Sequence, residues 1–162
     1  MSLVVALDSG PLSLLTQRPD HREAENCRNR LASHLASGPH FLVPAIADYE
    51  LRRELIRAGK TAAVSRLDRF IVAVAVPDRY LPPISSAFRK AAELWAKIRN
   101  QGLPTSSNNS LDGDVLLAAQ LLDSKWATTQ LVVATSNPKH ISRFLNAAEW
   151  QTILPPDIIP PP

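Results

Sequence analysis

The sequence predicts an α/β fold with a mainly parallel sheet. Short apolar runs of strand length alternate along the chain with stretches of helical periodicity. The runs are continuously apolar and rich in valine, as strands buried on both faces are. Proline, glycine and short polar clusters separate the units, and repeated strand–helix units of this kind build parallel sheets.

The first run, Leu3-Val4-Val5-Ala6-Leu7, ends at Asp8, and Ser9-Gly10-Pro11 follows as a tight turn. A short helix is expected from Pro11, where a missing N–H is harmless. Residues 21–36 carry Ala24, Cys27, Leu31 and Leu35 at spacings of three and four, one face of an amphipathic helix that Gly38-Pro39 ends. Phe41-Leu42-Val43 reads as the second strand, and Pro44 opens the next helix. Residues 70–76 form an apolar, valine-rich run and are expected as a third, buried strand. After Pro82-Pro83 a helix is expected over 84–99, then a polar loop over 102–110 and an almost wholly apolar helix over 115–122. Residues 131–134 read as the last strand, followed by Thr135-Ser136-Asn137-Pro138.

The 162 residues suffice for one domain with a real core. That domain is expected over 1–150, with a Pro-rich tail over 151–162. Hydrophobic residues make up 45% and charged residues 20%, a composition of folded rather than disordered chains. No apolar stretch approaches the roughly 20 residues a bilayer span needs. The start of the chain lacks the basic flank and long apolar segment of a secretory signal. One cysteine, Cys27, makes neither an internal disulfide nor a zinc cluster, so a reducing cytoplasm is the expected location. The net charge of +3 does not identify a nucleic-acid binder. It gains meaning if carboxylates gather in one cleft, because an acidic pocket in a basic rim suits a polyanion cut with the help of divalent cations.

The acids fall where such a cleft would form. Asp8 closes a strand, and ligands of open α/β sheets bind at the carboxyl ends of strands; it is also a good N-cap for the helix that follows. Glu50 lies early in a helix, where the dipole favours an acid. Glu54 pairs with Arg53 or Arg57 on a solvated face. Of Asp112 and Asp114, Asp112 is better placed to cap the apolar helix, which leaves Asp114 at its start. Asn137 either caps the next helix or offers an amide oxygen to a hard cation, and Thr135 would orient that shell. No His/Cys set has zinc spacing, no glycine loop resembles a phosphate cradle, and Ser9 and Ser136 lack a serine-hydrolase elbow.

In order and spacing these segments resemble PIN-domain ribonucleases. Leu7-Asp8-Ser9 and Asp48-Tyr49-Glu50-Leu51-Arg52-Arg53-Glu54-Leu55 look like the first two motifs of that family. Asp114-Val115-Leu116-Leu117-Ala118-Ala119 resembles the third, and Val133-Ala134-Thr135-Ser136-Asn137-Pro138-Lys139-His140 the fourth. Each motif is short, and the match runs from Leu3 to about Phe144. The resemblance implies a three-layer α/β/α sandwich and a Mg²⁺- or Mn²⁺-dependent endoribonuclease, commonly the toxin of a VapBC-type toxin–antitoxin pair. It assigns catalysis to Asp8, Glu50, Asp114 and Asn137, and metal binding to Asp8, Glu50 and Asp114. Asn137 stands where many members carry a further Asp, which weakens a second metal position. Asp112 is an additional candidate ligand whose role the pattern does not settle.

Hydrolysis would then leave 5′-phosphate and 3′-hydroxyl ends, since no His pair is evident for metal-free transfer. Arg52, Arg53, Lys139, His140 and Arg143 are the candidate RNA contacts, although a solvated helix face explains Arg52 and Arg53 equally well. Expected partners are the RNA substrate, an antitoxin protein and a second copy of the chain, meeting on apolar helix surface around 24–35 or 51–56. A phosphatase of the haloacid-dehalogenase type needs a second Asp two residues after its nucleophile, and this chain has Gly10 there. The remaining alternative is a catalytically weak PIN-like module that binds RNA or a protein.

Overall fold

The computed structural model describes residues 3–36, 41–74, 79–103 and 112–154. Most of the expected polar loop, Gly38-Pro39 and residues 155–162 of the expected tail lie outside the described residues. Five strands form one parallel sheet in the order β3-β2-β1-β4-β5. They are β1 (Val4–Leu7), β2 (Phe41–Pro44), β3 (Tyr80–Leu81), β4 (Leu131–Thr135) and β5 (Ala147–Glu149). The helices are α1 (Ser9–Leu15), α2 (Arg22–Ala36), α3 (Ala45–Arg57), α4 (Thr61–Val74), α5 (Ser85–Asn100), α6 (Gly113–Leu122) and α7 (Pro138–Ile141).

From β1 the chain steps outward to β2 and β3, then returns past β1 to β4 and β5. Right-handed crossovers therefore put the helices of the two directions on opposite faces, giving the expected α/β/α sandwich. The reversal makes the junction of β1 and β4 the switch point, where such sheets open a crevice at their carboxyl ends. β1 and β4 pair from Val4↔Leu131 to Leu7↔Ala134, so Asp8 and Thr135 emerge side by side.

The core explains the continuous apolar runs. Val4 to Leu7 and Phe41 to Val43 are fully buried, as are Leu131, Val133 and Ala134. Helix α6 is buried from Val115 to Leu121, hence its lack of a polar face. Its one polar buried residue, Gln120, has a structural task. Pro44 gives α3 no side-chain cap, and Ile46 N–H instead donates to Gln120 Oε1 at 3.1 Å. Gln120 Nε2 donates to the Leu81 carbonyl at 2.9 Å, so one amide joins α6, α3 and β3.

One element differs in kind from its expectation. Residues 70–74 are not a strand but the last turn of α4, while 75 and 76 lie outside the described residues. Leu67 and Val74 are buried, and Phe70 packs edge-on against Phe41 with ring centroids 6.4 Å apart. That is helical spacing. The period was masked because exposed positions also carry apolar residues, Val72 being 78% exposed. The edge strands β3 and β5 are two and three residues long and carry no strand-like alternation of their own.

Beyond β5 a 3₁₀ turn at Trp150–Thr152 packs against α2. Ile153 is buried and the Leu154 carbonyl lies 2.8 Å from His34 Nε2, so the folded unit reaches Leu154. No helix among the described residues is long and apolar enough to cross a membrane.

Candidate active site

Asp8 is held from two directions at the end of β1. Its Oδ1 caps α1 by accepting from Ser9 N–H at 2.7 Å. Its Oδ2 accepts from the Thr135 hydroxyl, at the end of β4, at 2.6 Å. Thr135 is buried and its Oγ1 also accepts from Asn137 N–H at 3.0 Å. The capping reading of Asp8 therefore holds, and it is compatible with the site reading, because a carboxylate has lone pairs enough for the cap and for a further ligand.

Glu50 reaches the same mouth from α3. A Cβ at position 113 would overlap its Oε1, so the absence of a side chain at Gly113 makes room for this carboxylate at the start of α6. Burial raises its pKa, and the negative charge of Asp8 raises it further. Arg53 opposes this, Asp114 adds to the rise, and a hydrogen bond with the Ser9 side chain works downward. Asp114 stands in the first turn of α6, whose N-cap is Asp112, accepting from Val115 N–H at 3.3 Å. Its pKa is raised first by burial; the His140 contact lowers it and the charge of Asp8 raises it again. His140 Nδ1 lies 3.1 Å from Asp114 Oδ2, with both side chains about one-third exposed at 34% and 32%.

The fold thus gathers Asp8, Glu50, Asp114, Thr135 and His140, from five separate elements, at the switch point of the sheet. Asp112 is buried and occupied as a cap. Asn137 precedes α7 with its side chain exposed and makes no side-chain cap there. Lys139 is exposed on α7. Arg53 lies with its guanidinium 5.6 Å over the Tyr49 ring, close enough for Glu50 to feel its charge. Arg143 donates to the Leu103 carbonyl. Glu54 pairs with Arg57 at 2.8 Å and stands 3.8 Å from Arg53, on the solvated face.

Arg52 points elsewhere. It bridges Asp48 at 3.0 Å and Asp68 at 2.6 Å, and Tyr80 donates to the other Asp48 oxygen at 3.3 Å. This network ties α3 to α4 and β3. Asp48 is buried and passed unremarked in the sequence, where nothing local marks an acid that finds its partners on other elements. Ser9 and Gly113 were missed for the same reason: their contacts with Glu50 exist only once α1, α3 and α6 meet.

Among the described residues no three His, Cys, Asp or Glu side chains converge into a preformed metal cage. The donor chemistry nevertheless fits a hard divalent cation. Three carboxylates share one mouth, two of them with raised pKa values, and an ion that keeps several of its waters needs few direct ligands.

No protein-family model and no curated protein matches the sequence. Solved structures do match. A chain of VapBC2 from Rickettsia felis, crystallised with a DNA fragment from its promoter, superposes at a TM-score of 0.62 and 17% identity, covering 91% of this chain and 99% of that one. A chain of FitAcB from Neisseria gonorrhoeae gives 0.63 and 18%, covering 93% and 100%. DNA-bound VapBC from Salmonella typhimurium gives 0.61 and 18%, covering 91% and 98%. The fold is PIN-like. At these identities the likeness establishes the architecture, and it spans the whole length of those chains.

Proposed function

We propose that this protein is a metal-dependent endoribonuclease, acting as the toxin of a cytoplasmic toxin–antitoxin pair. The observation that carries the proposal is the meeting of Asp8, Glu50 and Asp114 at the switch point. Burial and the charge of Asp8 act against ionisation of both Glu50 and Asp114, and a divalent cation would relieve that cost. Asp8, Glu50 and Asp114 would hold Mg²⁺ or Mn²⁺, directly or through water. When bound, such an ion supplies an acidified water and neutralises charge on the phosphate.

The protein's own part is to fix its donors. Thr135 and Ser9 N–H set the Asp8 carboxylate, and the space left at Gly113 admits Glu50. Arg53, whose charge reaches Glu50, and Lys139, exposed next to His140 on α7, would bind RNA phosphates. Arg52 is already spent on Asp48 and Asp68.

The shared fold with VapBC and FitAcB chains supports an antitoxin as partner. A second copy is the other proposed partner. Of the two surfaces expected to receive it, that around 24–35 is consumed by the core, since Ala24, Cys27 and Leu31 are fully buried, whereas 51–56 keeps Ile56 exposed. A better surface is the apolar cavity of about 240 Å³ between α3, α5 and α6, where Tyr49 and Phe88 are each 51% exposed. The deciding experiment is cleavage of a structured RNA pool by purified protein with Mg²⁺, Mn²⁺ or EDTA. Metal-dependent products with 5′-phosphates, absent from Asp8→Asn, support the nuclease. Cyclic phosphates or metal-independent cleavage would refute it, and RNA binding without cleavage would favour the binding module.

A further inference from the structure

The Asp8 carboxylate is held by Thr135, a residue of another element, β4. Asp114 is the last of the three acids in the chain, and the contact that serves it comes from α7. We propose that His140 is a positioning residue for Asp114, fixing the carboxylate so that one oxygen is presented to the cation and the other is held by the imidazole. The inference rests on the metal-dependent reading given above.

The geometry supports it in three ways. His140 Nδ1 approaches Asp114 Oδ2 at 3.1 Å, and toward an ionised carboxylate, which only accepts, Nδ1 is the atom that would donate. Oδ1 is then the oxygen that remains for a metal, and the ring's Nε2 is directed away from the carboxylate. The helix carrying His140 is short but anchored. Pro138 opens α7, Ile141 next to His140 is fully buried, and α7 packs on α6, so the ring approaches Asp114 from a fixed base. Finally, Asn137, three residues earlier, has its backbone N–H committed to Thr135 and its side chain exposed. It makes no side-chain cap on α7, which leaves His140 as the α7 side chain bonded to Asp114.

Partners of this type, one step removed from the ion, tune affinity because they fix ligand orientation; losing one typically costs about 10- to 100-fold. The test is a calorimetric titration of Mn²⁺ into the full chain. Wild type is compared with His140→Ala, His140→Asn and Asp114→Asn, and with Glu93→Gln as an exposed acid of α5. His140→Ala is expected to weaken Mn²⁺ binding by about 10- to 100-fold. His140→Asn, whose amide N–H can stand near the Nδ1 position, should recover most of the loss, and Glu93→Gln should bind as wild type. Thermal melts without metal check that every variant is folded. Wild-type affinity in His140→Ala alongside loss in Asp114→Asn would overturn the role of His140 and leave the metal reading intact. Equal weakening in His140→Ala and His140→Asn would overturn it too. Absence of Mn²⁺ binding by the wild type would overturn both readings.

Discussion

Thr135 and Asp8 are 127 residues apart in sequence, yet the Thr135 hydroxyl donates to Asp8 Oδ2 at 2.6 Å. The contact follows directly from the register of β1 against β4, which sets Leu7 opposite Ala134. The same hydroxyl accepts from Asn137 N–H. Thr135→Val keeps the shape and removes both bonds, leaving Asp8 Oδ2 and the Asn137 N–H without that partner at a cost of about 1–3 kcal/mol. Urea denaturation should report that loss, and cleavage should fall with it. Thr135→Ser should restore both, and equal behaviour of Val and Ser would contradict the assignment.

Glu50 and Asp114 make an opposite prediction for stability. Both have folded-state pKa values above their ordinary ones, with burial the first cause, so the folded chain holds these protons to higher pH than the unfolded chain does. Unfolding free energy contributed by these groups therefore falls as pH rises from the ordinary carboxylate range through the raised values. Glu50→Gln and Asp114→Asn should raise the melting temperature of the metal-free protein near pH 7 and flatten its decline with pH. The same variants should lose cleavage on the order of 10²- to 10³-fold, the scale of losing one electrostatic stabiliser. Added Mg²⁺ should raise the wild-type melting temperature more than theirs. A lower melting temperature in both variants would contradict this account.

Gly113→Ala separates space from charge. The new methyl group would occupy the position of Glu50 Oε1 while leaving α6 a good helix former at its first residue. The expected result is a folded protein with a displaced Glu50 and a cleavage rate down by at least about tenfold, in line with the cost of misplaced reacting groups. Full activity in a folded Gly113→Ala protein would remove Glu50 from the site.

Arg52 distinguishes a structural role from substrate binding. Arg52→Ala leaves Asp48, which is only 8% exposed, with the Tyr80 hydroxyl but without its cation, and should cost about 2 kcal/mol for hydrogen bonds to a charged group. RNA affinity of the folded variant should keep its salt dependence, whereas Arg53→Ala should reduce the slope by about one counterion. The reverse pattern would restore Arg52 to the substrate.

The elements legible from sequence are those whose signal is local. β1, β2 and β4 are buried on both faces and read as unbroken apolar runs, and Asp112 announces itself as a cap two residues before Asp114. The error at 70–74 came from a helix whose solvent side carries Val72, which erased the polar half of the period. Asp8 and Asp114 were legible because one ends a strand and the other begins a helix, whereas the first-turn acid of α3 is Asp48 and Glu50 lies one turn further in. The Asp48–Arg52–Asp68 network, the Ser9 contact with Glu50 and the pairing of His140 with Asp114 were not. They join segments that approach one another only in the folded chain.

β4 is laid down late but sits against the first strand. Until residues 131–135 have been synthesised, β1 has a neighbour on only one side, and Asp8 stands without Thr135. A growing chain that has already made α1 to α5 still lacks the wall that completes the crevice, along with Asp114 and His140. Long-range pairing of this kind is paid for in loop closure and comes late in folding. The three acids consequently assemble as a set only when the last third of the polypeptide is in place, so a nascent chain on the ribosome carries the parts of the centre without the centre itself.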